Sequence, residues 1–458
     1  MRFLGIGDSC DLGALYMRLL AEGHEVKVHV ANPLCHGTLA GLVTHVADWK
    51  TELDWIRGAG DDGIILFENV AEQRGGLQDA LRHDGFNVIG GSAYGDRLEN
   101  DRGYAQDVLR AIGLSICPVT TFSERAAAIR FVQDHPGRYV VKFNEAYETF
   151  VGQLDDGRDV RAFLVGLPPQ GSNESFILMQ HVEGVEMGVG AYFDGEKFLA
   201  PSCLDWEHKR FFPGDLGELT GEMGTIVTYE RTARFHDLTL GRMESLLRDN
   251  GYCGYINLNT IVNDRGVWPL EFTCRFGYPG YAILDPLQRT SWSALFRAMV
   301  TRSAGNFVTW PGFAAGLVLS TPPFPYARPD VKVPVGMPVL FDPDLSPEDL
   351  LHVHYGEVGL QNGQLVTSGA YGWTLVVTGR GSSIREAQQR ANALAARVTI
   401  PNVRYRRDIG DRLIAGDFSR VAALGLLDDC ADRSAQNART DAPLIDAKRL
   451  EPNGRMPS

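Results

Sequence analysis

The sequence predicts an α/β protein with an N-terminal doubly wound parallel sheet and a small α/β domain towards its C-terminal end. Short apolar segments alternate with helical patterns over the first hundred residues, as in parallel strands joined by right-handed crossovers. The 51 glycines show no triplet period, so they exclude a collagen-like chain and indicate many tight turns.

Length, charge and cysteine content limit the possible functions. The 458 residues are enough for about three domains. The 44 basic and 57 acidic residues give a net charge of −13, so we expect no nucleic-acid partner, which would need a clustered basic face. No apolar run reaches the roughly 18 residues of a membrane span, and the seven cysteines form no CxxC pair. We therefore expect no membrane contact, reduced thiols and a cytoplasmic location.

The first hundred residues contain the clearest strand and helix signals. Arg2–Gly7 and Glu25–Ala31 are predicted strands on either side of a helix over Leu12–Glu22. Two further apolar segments follow at Ile64–Glu68 and Phe86–Gly90.

A glycine pair at the end of the first predicted strand is a weak dinucleotide-binding signal. Gly5 and Gly7 are spaced as in such a motif, but Cys10 stands where the third glycine would be. A plain strand-to-helix turn is the better interpretation, and a nicotinamide-dependent oxidoreductase remains a minor alternative.

Helical patterns and apolar strands continue beyond residue 100. A helix is predicted over Glu99–Leu114, and a second one over Glu124–Asp134 with Ser123 as its cap. An apolar strand over Tyr139–Lys142 and a β-rich stretch over Phe176–Tyr192 follow.

The remaining segments complete the predicted domain organisation. Ser202–Arg275 is rich in glycine and is predicted to be mostly loop, whereas Leu365–Gly379 is β-rich and Ser383–Arg397 helical. Beyond Leu427 the composition is polar, which is typical of a poorly ordered tail. The predicted units are a Rossmann-like domain at 1–100, a two-lobed domain at 101–305, a C-terminal α/β domain at 306–427 and a tail at 428–458.

Four polar motifs follow one another at the ends of predicted strands. They are Lys142, the segment 180–186 (QHVEGVE), the segment 205–210 (DWEHKR) and the segment 270–277 (LEFTCRFG). This order resembles the ATP-grasp superfamily and, over about residues 1–413, its glycinamide ribonucleotide synthetase family. The C-terminal segments 354–357 (HYGE), 365–369 (LVTSG) and 404–410 (RYRRDIG) are also similar to that family.

The resemblance implies an ATP-dependent, ADP-forming carboxylate–amine ligase that acts through an acyl phosphate. ATP would bind between two β-rich lobes with a hinge near 180–186, and Mg²⁺ or Mn²⁺ would bridge its phosphates. The implied substrates are small molecules, an amino acid such as glycine and an amine such as 5-phosphoribosylamine, as in purine biosynthesis. The implied assembly is a monomer or a small homo-oligomer.

Two cations are implied as phosphate contacts. Lys142, at the end of its predicted strand, would place an ammonium beside the α- and β-phosphates, although a solvated lysine is the plainer alternative. Arg102 lies where the family has a phosphate-contacting lysine, and a solvated surface arginine is equally consistent with the pattern.

The hinge segment is implied to bind the nucleoside. Backbone groups of Gln180, His181 and Val182 would meet the adenine edge, so their side chains matter little. Glu186 would accept the ribose hydroxyls; otherwise it is an ordinary charge on an edge strand.

Charged residues before the glycine-rich segment are candidates for the substrate side. Asp205, His208, Lys209 and Arg210 combine three potential cations with one carboxylate, which would otherwise form a solvated face. The glycines that follow would let backbone amides approach a phosphate or an acyl phosphate; they are Gly214, Gly217, Gly221 and Gly224.

Glu271 is the candidate metal ligand. It lies in an otherwise apolar strand, where an unpaired carboxylate is costly, and Mg²⁺ is a natural partner for it. Asn259, on the preceding strand of a hairpin that turns at 264–266, is a possible second ligand. Arg275 continues the Glu271 face with a period of two and would clamp phosphate or carboxylate in the same pocket.

Several positions depart from the family pattern. Thr273 replaces a metal-binding asparagine, and the segments 7–13, 143–150 and 277–280 lack the family's N-terminal signature, glycine-rich flap and Gly-Asp-Pro-Glu sequence. These departures leave two alternatives open. The chain is then either a diverged ligase for another amino acid and amine, or a nucleotide-binding homologue without catalysis.

Overall fold

The computed structural model describes residues 1–68, 74–143, 149–168, 175–303, 306–326 and 335–429. The predicted α/β class is confirmed in these residues. Most of the predicted tail, and the centre of the segment that replaces the flap, lie outside them.

The N-terminal unit is a five-stranded parallel sheet with helices on both faces. Its elements are β1 (Arg2–Gly7), α1 (Gly13–Ala21), β2 (Glu25–Val30), β3 (Thr44–His45), α2 (Leu53–Arg57), β4 (Gly63–Phe67), α3 (Gly75–His83), β5 (Val88–Ile89) and α4 (Ala93–Asn100). The strand order is β3-β2-β1-β4-β5, and every pair is parallel. The predicted doubly wound sheet is therefore confirmed, with its last strand shorter than expected.

Close packing explains the glycine pair in β1. A Cβ on Gly5 would lie 2.2 Å from the hydroxyl oxygen of Tyr16, and one on Gly7 would overlap the carboxylate of Glu68. Glu68 also accepts hydrogen bonds from the Tyr16 hydroxyl at 2.8 Å and the Asp11 backbone N–H at 2.9 Å. The glycines thus make room for a tyrosine and a buried carboxylate, which supports the plain strand-to-helix turn over the dinucleotide site.

A small antiparallel sheet follows, which we call the first lobe. Its elements are α5 (Arg102–Ala111), β6 (Val119–Phe122), α6 (Arg125–Asp134), β7 (Tyr139–Phe143), β8 (Phe150–Val151), α7 (Arg158–Gly166) and β9 (Phe176–Gln180), with strand order β6-β9-β7-β8. The single helix predicted over Glu99–Leu114 is wrong, because Asp101 interrupts it and caps α5 by accepting the Tyr104 N–H at 3.0 Å. The N-cap of α6 is Glu124 and not Ser123.

The next segment builds most of an eight-stranded antiparallel sheet, which we call the large sheet. Its elements are β10 (Val185–Phe193), β11 (Cys203–Glu207), β12 (Arg210–Phe212), β13 (Leu216–Leu219), β14 (Gly224–Thr228), α8 (Ala233–Leu238), α9 (Glu244–Asp249), β15 (Gly254–Asn263), β16 (Gly266–Thr273), α10 (Gly280–Leu284), α11 (Trp292–Thr301) and β17 (Phe313–Ser320). The loop-rich prediction for 202–275 is wrong. Gly214, with a φ of 73°, lies in the turn of the β12–β13 hairpin, and Gly217, with a φ of 80°, lies in β13.

The C-terminal segment extends the same large sheet. Its elements are β18 (Leu340–Phe341), α12 (Pro347–Leu350), β19 (Val353–Tyr355), β20 (Val358–Gln361), β21 (Gln364–Thr367), β22 (Trp373–Gly381), α13 (Ile384–Ala395), β23 (Val398–Thr399) and α14 (Phe418–Ala423). The order of the large sheet is β16-β15-β10-β11-β14-β17-β22-β19. The helix predicted after Ser383 is confirmed, with Ser383 as its cap. Since strands on both sides of residue 306 pair in one sheet, the domain boundaries remain predictions.

Within the described ranges no helix is long and apolar enough to cross a membrane. Six cysteines lie in those ranges, and each is buried and free.

A buried ion pair fixes the N-terminal unit to the large-sheet unit. Arg18 on α1 pairs with Asp285, whose other carboxylate oxygen accepts the Trp292 indole N–H at 2.7 Å. Burial opposes ionisation of Asp285, but Arg18 outweighs it and brings the pKa of this carboxyl below its usual value.

We predict that Asp285→Asn lowers the free energy of unfolding by about 3 kcal/mol, because it leaves the Arg18 guanidinium buried and unpaired. The carboxylate's stabilisation is present above the unfolded aspartate pKa of about 4 and is lost as pH falls through the lower folded value. Urea unfolding at pH 7 and at pH 3 measures both effects, and the variant should lose less stability on acidification. Asp62→Asn, which breaks the exposed pair with Arg297, is the control and should change stability by less than about 1 kcal/mol. Equal effects of the two variants would contradict this role.

Candidate active site

A cleft of about 630 Å³ lies between the first lobe and the large sheet. Its inner end is lined by apolar side chains of both units: Cys117, Val140, Val151, Met179, Val182, Ile261 and Leu270. Its outer part is lined by charged side chains. An apolar slot beside a charged region matches the two halves of a nucleotide.

The charged side chains project from one face of the large sheet because strand residues alternate between faces. Glu186 on β10, Glu207 on β11, Asn259 on β15 and Glu271 on β16 all line the cleft. Asn259 and Glu271 are directly opposed in the β15–β16 register, so the predicted pairing of these two positions across a hairpin is confirmed.

Glu271 is the centre of a cationic cluster. One of its oxygens lies 2.9 Å from Arg102 and 3.3 Å from Lys142 Nζ, while the other lies 3.3 Å from Lys209 Nζ. These cations come from α5, from β7 and from the loop after β11. The fold thus brings together three basic residues that are far apart in the sequence.

The cluster shifts the protonation equilibria of its members. Lys142 first, then Lys209 and Arg102, holds the pKa of Glu271 well below its usual value despite burial. Burial lowers the pKa of Lys142, which is 6% exposed, and Glu271 opposes that shift. Ionised Glu271 is therefore the group that keeps several cations close together.

Lys209 is surrounded by carboxylates. Its Nζ lies 3.2 Å from Glu207 and 3.3 Å from Glu186 as well as from Glu271. Burial opposes its charge, but Glu207 and its neighbours raise the pKa of Lys209 well above the ordinary value. It stays an ammonium within the cleft, where it can meet a transferring phosphoryl group.

The hinge between β9 and β10 lies at the apolar end of the cleft. Gln180, His181 and Val182 all line it. The backbone N–H groups of Gln180 and His181 donate to Pro118 and Arg138 at 2.9 and 3.0 Å. In the described part of the chain the Val182 N–H has no such partner, so it is available to a ligand in the cleft.

Arg275 reaches the cleft from beyond the end of β16. Glu99 on α4 accepts its Nε at 3.0 Å and the Cys274 backbone N–H at 2.8 Å. The alternation of strand residues predicted that Arg275 reaches the pocket, but it did not predict that Glu99 orients this side chain. Held in this way, Arg275 lines the cleft.

The structure does not bring every candidate to the cleft. His208 accepts the Gly410 backbone N–H at 3.1 Å, and Arg210 donates to the Gly217 carbonyl at 2.7 Å. Neither lines the cleft; both line a neighbouring cavity, together with Glu207 and Lys209. Asp205 lines a smaller neighbouring cavity. Of the four glycines, Gly221 lines the cleft, whereas the Gly214 N–H is taken by Asp408.

Four successive backbone amides beside the cleft donate hydrogen bonds to one buried carboxylate. Glu357 is 4% exposed and accepts hydrogen bonds from the backbone N–H groups of four successive residues, 370–373, at 2.5–3.0 Å. In this same loop Tyr371 and Trp373 line the cleft, and their rings stack at 5.1 Å between centroids. Tyr278 stacks on the other side of Trp373 at 5.1 Å.

The donors around Glu271 fit a magnesium ion that is held mainly by a nucleotide. Mg²⁺ usually takes one or two protein oxygens and completes its shell with phosphates and water. Glu271 and Asn259 are directly opposed in the β15–β16 register and both line the cleft, so each can offer an oxygen there. The carboxylate of Glu271 and the side-chain oxygen of Asn259 would hold the ion.

Several residues of the site were not predicted. Glu207 follows Asp205 at a spacing of two, and this spacing places both on one face of β11. Glu222 and the aromatic group of Tyr278, Tyr371 and Trp373 carry no comparable local signal.

The lobes, the hinge and the cation cluster define the chain as an ATP-grasp protein. Residues 100–281 match the model of the phosphoribosylglycinamide synthetase ATP-grasp (A) domain, and residues 315–412 match that of its C domain. Together the two models cover more than half of the chain, which therefore belongs to the phosphoribosylglycinamide synthetase family.

Curated relatives carry names of this family, and solved structures share its fold. A phosphoribosylamine–glycine ligase of Nostoc sp. is 28% identical over 359 residues, which are 74% of this chain and 81% of the relative. One from Vibrio parahaemolyticus is 26% identical over 82% of this chain and 87% of the relative. The crystal structure of phosphoribosylamine–glycine ligase from Thermotoga maritima superposes with a TM-score of 0.67 at 19% identity, covering 89% of this chain and all of the other. A biotin carboxylase domain from Hydrogenobacter thermophilus, solved with MgADP, gives 0.58 at 10% identity over 88% of this chain and 91% of the other.

Proposed function

We propose that the chain is an ATP-dependent, ADP-forming ligase that joins glycine to 5-phosphoribosylamine through an acyl phosphate. The observation that carries the proposal is the convergence of Arg102, Lys142 and Lys209 on Glu271 inside a cleft with an apolar end. The family and the activity named for its relatives supply the substrates. Six free, buried cysteines suit a cytoplasmic enzyme.

The residues divide into nucleotide and phosphoryl-transfer roles. Val182 would receive the adenine edge, and Glu186 the ribose hydroxyls once Lys209 turns to the phosphates. Magnesium supplies charge neutralisation of the β- and γ-phosphates when it is bound. Lys142 and Arg102 hold the phosphate chain, and Lys209 and Arg275 face the side from which a carboxylate oxygen attacks the γ-phosphorus.

Catalysis needs no covalent enzyme intermediate. The γ-phosphoryl group moves from ATP to the glycine carboxylate and leaves ADP, and the amine nitrogen then attacks the acyl carbon and expels phosphate. The cations stabilise the charge that develops on the transferring group, and the cleft excludes water from the acyl phosphate. The protonated amide nitrogen formed by this attack loses its proton to solvent or to a neighbouring carboxylate such as Glu207.

The test of this function is a coupled assay. Wild-type protein with ATP, Mg²⁺, glycine and freshly generated phosphoribosylamine should release one ADP and one phosphate for each ribonucleotide amide formed. ADP release that needs another amino acid or amine would replace these substrates. ATP binding without ADP release from any pair would favour the non-catalytic homologue.

A ligase for an unphosphorylated amine is a second candidate, and Glu357 favours it. The backbone amides of 370–373 are an anion-binding arrangement, but here the chain's own carboxylate fills it. The neighbouring aromatic faces of Tyr278 and Trp373 suit an apolar or cationic acceptor better than a phosphate dianion. Competition by inorganic phosphate against the amine substrate would favour phosphoribosylamine, and its absence would favour the second candidate.

A further inference from the structure

A second cavity, of about 60 Å³, opens beside the ATP cleft on the same face of the large sheet. The walls of the two cavities share Glu207, Glu222, Thr273 and Gly277. Because three carboxylates line the smaller cavity, those of Asp205, Glu207 and Glu222, we call it the acidic pocket.

Of the three carboxylates of the acidic pocket, only one forms an ion pair with a described residue. Glu207 pairs with Lys209 at 3.2 Å, whereas Asp205 and Glu222 form no ion pair with any described residue. Glu222 accepts a hydrogen bond from the Thr225 hydroxyl instead. Lys209 also acts on Asp205 and Glu222, but burial outweighs it and raises the pKa of both carboxyl groups, so a cationic ligand would be favoured beside them.

Asp205 has a carboxylate oxygen to which no described residue donates a hydrogen bond. It is 6% exposed, and its Oδ2 accepts the Asn257 amide N–H at 2.6 Å, but its Oδ1 has no hydrogen-bond partner among the described residues. Gly188 stands opposite it in the β10–β11 register, and a Cβ there would lie 2.2 Å from that oxygen. The glycine therefore makes room for a carboxylate that the protein itself leaves incompletely bonded.

The chemistry of the pocket selects an organic ammonium group. The described carboxylates do not form a group of three that could hold a metal ion. An ammonium carries three N–H donors, which can reach oxygens that are spread over the walls of a cavity. Burial raises the pKa of Asp205 to about 8, and a cationic ligand would return it to its ionised form. The pocket is about a tenth of the size of the ATP cleft, so it takes a small head group and not a phosphorylated sugar.

We propose that the acidic pocket binds the ammonium group of the amino-acid substrate through Asp205 and Glu222. This inference rests on the proposed ligase function and names the site that holds one of its substrates. With the ammonium there, the carboxylate of a small α-amino acid points past the shared wall at Glu207 and Thr273 into the cleft, towards Lys209.

The test compares isosteric variants. Asp205→Asn should raise the KM for glycine about ten- to a hundredfold, the loss expected for a charged hydrogen bond, while kcat and the KM for ATP change less than about threefold. Glu222→Gln should act in the same direction. Asp96→Asn is the control, since Asp96 is a buried carboxyl that lines neither cavity, and it should leave the KM for glycine unchanged.

Calorimetry tests the inference without turnover. Wild-type protein with Mg²⁺ and a non-hydrolysable ATP analogue should bind glycine and methylammonium, and acetate at least tenfold more weakly. Loss of glycine and methylammonium binding in Asp205→Asn supports the pocket even if the wild type releases no ADP, an outcome that would overturn only the ligase function. Equal binding of glycine by wild type and Asp205→Asn, or of acetate and glycine by wild type, would overturn the ammonium site. Displacement of glycine by excess Mg²⁺ would also overturn it, because it would identify a metal site.

Discussion

Glu271→Gln should reduce kcat by at least about a thousandfold, the largest effect that we expect from a single substitution in the cleft. The glutamine keeps the shape of the side chain but loses the charge that draws Arg102, Lys142 and Lys209 together. It also removes the only charged ligand that we assign to the metal. Steady-state assays across a range of Mg²⁺ concentrations measure the effect.

The control for Glu271→Gln is Glu196→Gln, an exposed glutamate that pairs with Arg302 on the surface. That variant should keep wild-type kcat, and circular dichroism should show both variants folded. Wild-type kcat with an unchanged Mg²⁺ dependence in Glu271→Gln would remove Glu271 from the metal site.

Lys142→Ala should weaken ATP binding about ten- to a hundredfold and lower turnover as well. Lys142 is nearly fully buried, and its ammonium lies 3.3 Å from Glu271 in the cleft, where we propose that the phosphates bind. Lys142→Arg should not restore binding, since a buried site shaped for a compact ammonium does not admit a planar guanidinium. Calorimetry with ATP and Mg²⁺ measures the dissociation constant.

The matched control is Lys197→Ala, because Lys197 is exposed in the turn after β10. It removes the same charge from the surface and should leave the ATP affinity unchanged. If Lys142→Ala binds ATP as tightly as the control, Lys142 has a structural role and does not contact phosphate.

Local sequence patterns predicted the parts of the molecule that depend on neighbouring residues. The alternation in residues 1–100 correctly indicated β1, α1 and β2, and the hairpin spacing correctly placed Asn259 opposite Glu271. The prediction of loop for the region of β11 to β14 was wrong. The glycine-rich segments there include turns with positive φ that join short strands.

The features of the site that were not predicted depend on contacts between residues that are far apart in the sequence. Glu99 meets Arg275, and Glu357 meets the amides of 370–373, through folding of segments that carry no shared pattern. The unpaired oxygen of Asp205 depends on a glycine in a different strand. The large sheet that joins both sides of residue 306 likewise depends on the pairing of β17 with β14 and β22.

We propose that the cleft transfers the γ-phosphoryl group of ATP to a substrate carboxylate. The most direct measurement follows oxygen from glycine labelled with ¹⁸O in its carboxylate, incubated with wild-type protein, ATP, Mg²⁺ and phosphoribosylamine. An acyl phosphate breaks down with one carboxylate oxygen left on phosphorus, so mass spectrometry should find one ¹⁸O in each phosphate released together with ADP. Unlabelled phosphate, or AMP and pyrophosphate in place of ADP and phosphate, would contradict this mechanism.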